Sequence, residues 1–309
     1  MKTAFVTGAS GFVGAAVCRA LLSAGWSVTG QVCRHVAPPG VLPQPLDLSR
    51  MVDWSCLGER VDAVIHLAGL AHVPPGDVSR EGVWRINVAP VGPLADAAAS
   101  AGARFLYVSS AKVLGESGEW DDSARAAPAD LYAESKLAAE EIVAATAGLS
   151  WTILRPPLVY GPEVKGNFLR LLHLANAGWP LPLATLRAPR SYLYVENLVS
   201  AVLACLQSPA ADGQRWLVSD SEAIALPQLL RHLTAGLGRP ARLLPFPPRL
   251  LEAAARVCGR QADYSRLAGR FVIHDEGLRA TLAWTPPYSL QAGLAATTAW
   301  FRASGPATD

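Results

Sequence analysis

The sequence predicts an α/β protein, built as a doubly wound parallel sheet followed by a smaller C-terminal α/β lobe. Three observations lead to this prediction. Short β-rich runs alternate with helical patterns in the first half of the chain, a glycine-rich turn follows the first strand, and prolines become frequent after about Arg155. Strands that alternate with helices indicate βαβ units and therefore a parallel sheet.

The first half contains five predicted strands and three predicted helices. The strands are Thr3–Thr7, Val28–Cys33, Val61–Leu67, Arg104–Ser109 and Trp151–Leu154, and the helices are Gly11–Ala24, Arg80–Ala101 and Tyr132–Thr146. We expect Pro90 and Pro93 to interrupt or kink the second helix, because proline lacks the amide hydrogen that a helix interior needs. Right-handed crossovers between such strands give a Rossmann-type sheet.

The second half of the chain is richer in proline, with prolines at 156, 157, 162, 180 and 182 and again at 245, 247 and 248. Helices are predicted over Phe168–Ala177, Val195–Leu206 and Leu226–Ala235, and strands over Trp216–Ser219 and Phe271–His274. We therefore divide the chain into a first domain over residues 1–160 and a smaller lobe over residues 161–309. Part of the chain within residues 161–309 is expected to pair with the sheet of the first domain.

Composition excludes several classes of protein. Of the 309 residues, 51% are hydrophobic and 17% are charged, which suits a sizeable core and disfavours disorder. A net charge of +2 without a run of Lys or Arg disfavours nucleic acid as a partner. The sequence has no transmembrane stretch and no secretory signal, so we expect no membrane insertion. Five scattered cysteines without C-x-x-C spacing fit reduced thiols in a cytoplasmic protein.

The turn after the first strand has the spacing of a phosphate-binding loop. Glycines at 8, 11 and 14 would allow a tight turn, a close approach of the backbone to a pyrophosphate, and packing of helix on strand. The pyrophosphate would lie on the helix N-terminus, lined also by Ser10, Phe12 and Val13. A plain strand-to-helix turn is the alternative. The βαβ context favours an NAD(P)-binding domain over residues 1–160.

The end of the second strand favours NADP over NAD. An NAD site usually carries an acid there, which binds the ribose 2′-hydroxyl. This strand instead ends in Gln31-Val32-Cys33-Arg34-His35, and Arg34 could contact a 2′-phosphate. NAD without the acidic anchor, with Arg34 merely solvated, is the alternative. Asp47 and Leu48 are placed to touch the adenine, although Asp47 could equally cap a helix.

Three residues form a candidate catalytic set. Ser109 and Ser110 end a predicted strand, and Tyr132 and Lys136 are four residues apart on a predicted helix, so they share a face. A phenol with a pKa of about 10 exchanges protons poorly at neutral pH. A neighbouring ammonium favours its phenolate. Tyr132 could then move a proton to or from a substrate oxygen that Ser110 holds, while hydride is exchanged with the nicotinamide.

The chain resembles the extended short-chain dehydrogenases/reductases of the nucleotide-sugar epimerase/dehydratase group. The resemblance extends to about Phe301 and rests on these motifs: T-G-A-S-G-F-V-G at 7–14, H-L-A-G at 66–69, Asn87-Val88, S-S-A-K-V-L-G-E at 109–116, Y-A-E-S-K at 132–136, R-P-P-L-V-Y-G-P at 155–162, K-G-N-F at 165–168, R-S-Y-L-Y-V-E-N at 190–197 and L-A-W-T-P-P at 282–287. It implies that Ser110, Tyr132 and Lys136 are catalytic, and that the enzyme is a homodimer acting on a UDP-linked sugar. It also implies cofactor contacts at Leu67, Ala68, Gly69, Asn87, Ser109 and Pro157, and contacts to the substrate diphosphate at Asn167 and Arg190.

Two departures from the group narrow the reaction. Sugar 4,6-dehydratases carry an Asp-Glu pair where this chain has Ala111 and Lys112, so a dehydratase is disfavoured. Epimerases with tightly bound NAD usually carry the acid that is missing after the second strand. His72 is expected to line the sugar pocket, and Lys112 is expected either to be a cation on the substrate side or to be simply solvated. His66 and His72 lack a third ligand at suitable spacing, so no metal site is predicted.

Three functions follow, in order of preference. The first is NADPH-dependent reduction of a UDP-4-keto-6-deoxy-HexNAc-type sugar, favoured mainly by the acid that is missing after the second strand. The motifs look most like a branch of lipopolysaccharide or other surface-polysaccharide synthesis that contains both such reductases and UDP-HexNAc 4-epimerases. The second is a UDP-glucose or UDP-N-acetylhexosamine 4-epimerase, an isomerase with tightly bound NAD. The third is a non-catalytic NADP-binding sensor or scaffold, which the intact catalytic set disfavours.

Overall fold

A computed structural model describes residues 1–50, 52–57, 60–70 and 79–305. The first half contains β1 (Thr3–Thr7), α1 (Phe12–Ser23), β2 (Ser27–Val32), β3 (Leu42–Pro45), β4 (Ala63–His66), α2 (Arg80–Asn87), α3 (Val91–Ser100), β5 (Arg104–Val108), β6 (Gly118–Trp120), α4 (Leu131–Ala145) and β7 (Ser150–Arg155). The rest contains β8 (Leu158–Tyr160), α5 (Gly166–Ala177), β9 (Pro189–Tyr194), α6 (Val195–Gln207), β10 (Gln214–Leu217), β11 (Ala223–Ala225), α7 (Leu226–Gly236), α8 (Pro248–Val257), α9 (Gln261–Ala268), β12 (Phe271–Ile273), α10 (Glu276–Leu282) and α11 (Leu290–Ala303).

Seven strands form one parallel sheet in the order β10-β7-β5-β4-β1-β2-β3. The doubly wound α/β fold that the sequence predicts is therefore confirmed. The chain moves outward from β1 in one direction through β2 and β3 and in the other through β4 and β5. The crevice between β1 and β4 is thus the topological switch point, where such sheets bind ligands at the carboxyl ends of their strands.

The sheet is covered on both faces because its central strands are apolar throughout. Ala4 and Val6 of β1 pack into one core with α1 and α6, whereas Phe5 packs into a second core with α3 and α4. Alternate residues of a strand point to opposite faces, so a continuous apolar run buries both. This is the pattern from which the strands were predicted.

Two prolines divide the predicted helix over 80–101. Helix α2 ends at Asn87, and Pro90 stands at the N-cap of α3. Pro93 lies in the first turn of α3, where an amide hydrogen would have no acceptor within the helix. Its missing amide hydrogen therefore does not break the helix. The expected interruption is confirmed, and it lies before Val91.

The second half, together with β6 of the first half, builds a smaller sheet in the order β11-β9-β12-β6, with β8 paired to β9. Strand β10 leaves this lobe and pairs in parallel with β7 of the main sheet. The elements that the sequence did not predict are mostly short or late in the chain: β3, β6, β8, β9, β11, α8, α9, α10 and α11. Among the described residues, no helix is both long enough and apolar enough to cross a bilayer.

Candidate active site

The loop between β1 and α1 leaves no room for side chains at its glycines. A β-carbon at Gly14 would lie 2.0 Å from the carbonyl oxygen of Gly8, and one at Gly8 would lie 3.0 Å from the backbone of Ala68. Gly8 also has a φ of +68°. Gly11 stands at the N-cap of α1 without a side-chain hydrogen bond, so the first amides of the helix face outward uncapped. We call this loop, residues 8–14, the cofactor cradle. Its uncapped amides fit the pyrophosphate of a dinucleotide.

Buried side chains hold the loop to its neighbours. The hydroxyl of Thr7 accepts hydrogen bonds from the amides of Leu67 (3.1 Å) and Ala68 (3.2 Å) and lies 2.8 Å from Nδ1 of His66. Gln31 accepts a hydrogen bond from the Gly8 amide at 2.8 Å. The cofactor cradle is thereby fixed to β2 and to the segment after β4.

His66 is a structural residue of this crevice. It is fully buried and stacks on Tyr107, with ring centroids 5.5 Å apart. Burial lowers the pKa of His66 to about 3, and the positive charge of Lys136 contributes. His66 is therefore neutral at physiological pH, as a packed strand-end histidine should be. His72 lies outside the described residues.

Ser110 and Tyr132 meet at the carboxyl end of β5. Ser110 caps a short 3-10 helix, Ala111–Leu114, and Tyr132 lies in the first turn of α4. Burial raises the pKa of Tyr132 to about 12, and a hydrogen bond with Ser110 acts in the opposite direction. The phenol is therefore protonated at neutral pH, and the structure brings Tyr132 and Ser110 together as the sequence analysis expected.

Lys136 lies one turn further along α4 and is 5% exposed. Its ammonium donates a hydrogen bond to the carbonyl oxygen of Val108 at 2.8 Å and lies 4.5 Å from the centre of the Tyr107 ring. Burial lowers the pKa of Lys136 to about 8, while the charge of Glu140 raises it. A β-carbon at Gly69 would lie 3.8 Å from this ammonium, so the loop after β4 closes over it.

Asn87 joins that loop to α4, the helix that carries Tyr132 and Lys136. Its Oδ1 accepts a hydrogen bond from the Leu70 amide at 2.7 Å, and its Nδ2 donates to the Ser135 hydroxyl at 2.9 Å. Ser135 in turn donates to the carbonyl oxygen of Tyr132 at 2.7 Å. Asn87, which is 1% exposed, therefore sets the position of α4 relative to the cofactor cradle.

Glu140 and Arg155 belong to this site and were missed by the sequence analysis. Both are buried, and Glu140 lies one turn after Lys136 on the same face of α4. Arg155 ends β7 and makes a bidentate contact with the Glu140 carboxylate. The i,i+4 spacing from Lys136 to Glu140 was the available signal. Nothing in the sequence identified Arg155 as the partner.

The residues expected near the adenosine are exposed apart from Leu48. Arg34 follows β2 at the surface, and Leu48 packs into the core between sheet and helices. Asp47 accepts hydrogen bonds from the amide and hydroxyl of Ser49, which lower the pKa of Asp47. The suggestion that Asp47 caps a helix is wrong, since a turn follows it.

Lys112 is engaged by two carboxylates. Its ammonium contacts Asp130, the N-cap residue of α4, and lies 2.8 Å from Glu116. Arg266 of α9 approaches the same two carboxylates at 3.6 and 3.9 Å. Lys112 therefore anchors the start of α4. A role for it in binding substrate remains a prediction.

The other predicted site residues lie on separate elements. Asn167 is exposed in the first turn of α5, and Pro157 is buried. Arg190 is half-buried and donates a hydrogen bond to the Gly269 carbonyl oxygen at 2.8 Å. Ser109 is buried, and its hydroxyl has no hydrogen-bond partner among the described residues. Within that part of the chain, no group of three or more His, Cys, Asp or Glu could hold a metal ion.

Known proteins resemble this chain over nearly its whole length. The sequence model of the NAD dependent epimerase/dehydratase family matches residues 4–219. A UDP-glucose 4-epimerase from Vibrio cholerae is 31% identical over 96% of this chain and 94% of its own. A GDP-6-deoxy-D-mannose reductase from Pseudomonas aeruginosa is 29% identical over 94% of each chain.

Solved structures share the fold. MoeE5 in complex with UDP-glucose and NAD superimposes with a TM-score of 0.80 at 23% identity, covering 98% of this chain and 99% of its own. The UDP-N-acetylglucosamine 4-epimerase from Bacillus cereus gives a TM-score of 0.78 at 19% identity, with coverage of 98% and 100%. At these identities the likeness establishes the architecture.

Proposed function

The chain belongs to the NAD dependent epimerase/dehydratase family of NAD(P)-dependent short-chain dehydrogenases/reductases, and from that premise we propose that it transfers hydride at C4 of a UDP-linked sugar. The favoured reaction is NADPH-dependent reduction of a UDP-4-keto-6-deoxy-HexNAc-type sugar. One observation carries the proposal: a complete Ser110, Tyr132 and Lys136 set stands beside Ala111 and Lys112, where a dehydratase has its acid and base.

The cofactor cradle would hold the dinucleotide with its nicotinamide near Tyr132. Gly8, Gly11 and Gly14 would receive the pyrophosphate, and the exposed Arg34 would meet a 2′-phosphate. When bound, NADPH supplies the hydride. Because β2 ends without a carboxylate, we propose a cofactor that exchanges at each turnover, as a reductase requires.

Tyr132 is the proposed acid. Its raised pKa keeps the phenol protonated at neutral pH, which is the form that donates a proton to a ketone oxygen as this oxygen gains charge. Ser110 would hold that oxygen in line with the phenol. Lys136, positioned by the Val108 carbonyl, would stabilise the phenolate left behind.

A dehydratase reaction is disfavoured by the contacts of Lys112. Water elimination needs a free acid and a free base beside the substrate, and the ammonium of Lys112 is instead paired with Asp130 and Glu116. The second candidate function is 4-epimerisation with tightly bound NAD. The relative from Vibrio cholerae, at 31% identity, favours it.

Cofactor identity separates the two reactions. We would denature the purified protein, identify any dinucleotide that is released, and titrate the cofactor-free protein with NADPH and NADH. Weak, exchangeable binding with a preference for NADPH is expected. Arg34→Ala should reduce the preference for NADPH over NADH about ten-fold or more, because a charge-assisted phosphate contact is lost. Arg85→Ala, an exposed arginine on α2, is the matched control.

Two results would count against the reductase. NAD that is released only on unfolding would favour the epimerase, and interconversion of UDP-glucose and UDP-galactose without added cofactor would establish it. Oxidation of NADPH by a UDP-4-keto-6-deoxy-HexNAc would instead support reduction. We further propose that the enzyme is a cytoplasmic homodimer that serves lipopolysaccharide or related polysaccharide synthesis, with light scattering as the test of the dimer.

A further inference from the structure

The C-terminal lobe carries a surface on which basic and apolar side chains are interleaved. We call it the basic lobe face, and it consists of residues 239–260 together with Trp179. The stretch 239–260 contains five arginines and one acid, Glu252, so it carries +4 in 22 residues. The whole chain carries only +2, so the remaining residues are net negative. The positive charge of this protein is therefore concentrated here.

Large apolar side chains are exposed on the same face. Trp179 is 68% exposed, Leu250 is 56% exposed and Val257 is 88% exposed, and Leu244 and Phe246 are also exposed. The segment after Trp179 is hydrogen-bonded to the stretch leading into α8, through Leu181 to Arg242 and Leu244. The segments that carry these side chains are thus adjacent in the fold.

Helix α8 has the pattern of a helix that lies on an interface. None of its residues is buried. Leu250, Ala253, Ala254 and Val257 follow i, i+3, i+4, i+7 spacing and form one exposed apolar stripe. Arg249 and Arg256 are seven residues apart and so line up along the helix beside that stripe.

The helix is held in place by its neighbour. The Tyr264 hydroxyl of α9 donates a hydrogen bond to the Pro248 carbonyl oxygen at 3.0 Å, and Gln261 donates to Glu252 at 3.3 Å. The sole acid of the face also pairs with Arg256 at 3.3 Å. The apolar stripe is therefore presented outward on a docked helix.

We propose that the basic lobe face binds peripherally to a membrane surface rich in anionic lipid. A basic helix with an exposed apolar stripe has the chemistry of an interfacial helix, in which arginines meet the headgroups and apolar side chains enter the acyl boundary. A second copy of this face is a poor partner, since two surfaces of +4 would repel. Nucleic acid would satisfy the arginines but leave Leu250 and Val257 unused.

Vesicle sedimentation with the full chain tests this proposal. The protein should bind vesicles of phosphatidylcholine with phosphatidylglycerol and not vesicles of phosphatidylcholine alone. Arg249→Glu/Arg256→Glu should weaken binding at least about 20-fold, since each arginine near an anionic surface accounts for about a five-fold change. Arg60→Glu/Arg85→Glu makes the same charge change at exposed residues of the other half, and should leave binding intact.

The apolar stripe is tested separately. Leu250→Ser/Val257→Ser leaves every charge in place and replaces exposed side chains, so it should fold and bind anionic vesicles more weakly. The proposal is overturned if the two vesicle types bind equally, or if the control pair loses as much binding as the arginine pair. It is also overturned if the serine variant binds vesicles and heparin as well as the original protein does, because the face would then be a general polyanion surface.

Discussion

Glu140 and Arg155 form a bidentate ion pair in the core, one helical turn from Lys136. Arg155 Nη2 lies 2.6 Å from Glu140 Oε2, and Arg155 Nε lies 3.0 Å from Oε1. Glu140 is fully buried, and its charge raises the pKa of Lys136 against the effect of burial. The pair therefore joins β7 to α4 and helps to keep the Lys136 ammonium charged.

The pH dependence of activity should report on this arrangement. Because the pKa of Lys136 is about 8, the rate should fall as pH rises through that value and the ammonium is lost. Glu140→Gln removes the charge that raises this pKa, so the fall should occur at lower pH. Rates of hydride transfer measured across pH for both proteins would check the direction.

Stability separates a structural role of the pair from its effect on Lys136. Glu140→Gln leaves Arg155 buried without its partner, which should cost roughly 3–5 kcal/mol of unfolding free energy. Glu140→Gln/Arg155→Met removes both charges and should recover much of this loss. If Glu140→Gln alone leaves the pH profile unchanged, Glu140 has no influence on the Lys136 proton.

Tyr132→Phe should reduce turnover by about 10³-fold, because it removes the only proposed proton donor and keeps the ring. Binding of the dinucleotide should be retained, as measured by fluorescence titration. Tyr288→Phe makes the same substitution at a half-exposed tyrosine in the loop before α11, and its turnover should match that of the original protein. A Tyr132→Phe variant with full activity would support the non-catalytic alternative.

Asn87→Ala should loosen α4 from the cofactor cradle. The substitution leaves the Leu70 amide and the Ser135 hydroxyl without their present partner, and each unsatisfied buried group costs about 1–3 kcal/mol. We expect a lower melting temperature and weaker cofactor binding together. Ser135→Ala removes only one of these links and should have the smaller effect on both measurements.

Gly14→Ala should abolish dinucleotide binding. The added β-carbon would lie 2.0 Å from the Gly8 carbonyl oxygen, so the phosphate loop would have to move. Gly92→Ala in α3 is the control, since its β-carbon would meet Ile142 at an ordinary 3.6 Å. The control should bind cofactor normally and gain about 0.4–1 kcal/mol of stability. Normal binding by Gly14→Ala would contradict the assigned cradle.

Asp122→Asn should alter how stability depends on pH. Burial raises the pKa of Asp122 to about 6 from an ordinary 3.8, while a hydrogen bond from the Leu217 amide opposes the shift. The folded state therefore holds this proton more tightly, and stability falls as pH rises between these values. An amide oxygen can keep the hydrogen bond without the charge. The melting temperature of the variant should be higher than that of the original protein at about pH 8 but not at about pH 4.

The main sheet could be predicted because its signals lie within single elements. The apolar runs of β1, β4 and β5 bury both faces, and the glycine loop follows β1 directly. The three-residue strands β6, β8 and β11 have no such signal, since each exists only by pairing with a partner elsewhere. Strand β3 contains Pro43 and Pro45, which are tolerated because it lies at the sheet edge.

The sequence by itself determined the α/β architecture, the phosphate loop and the shared helix face of Tyr132 and Lys136, because periodicity and turn chemistry depend on residues that are close in the chain. Only the tertiary structure decided that Arg155 meets Glu140 and that Lys112 is held by Asp130. Those ion pairs join separate elements. Their formation depends on how strands and helices pack, and on the cost of leaving a charge unpaired once packing has removed water.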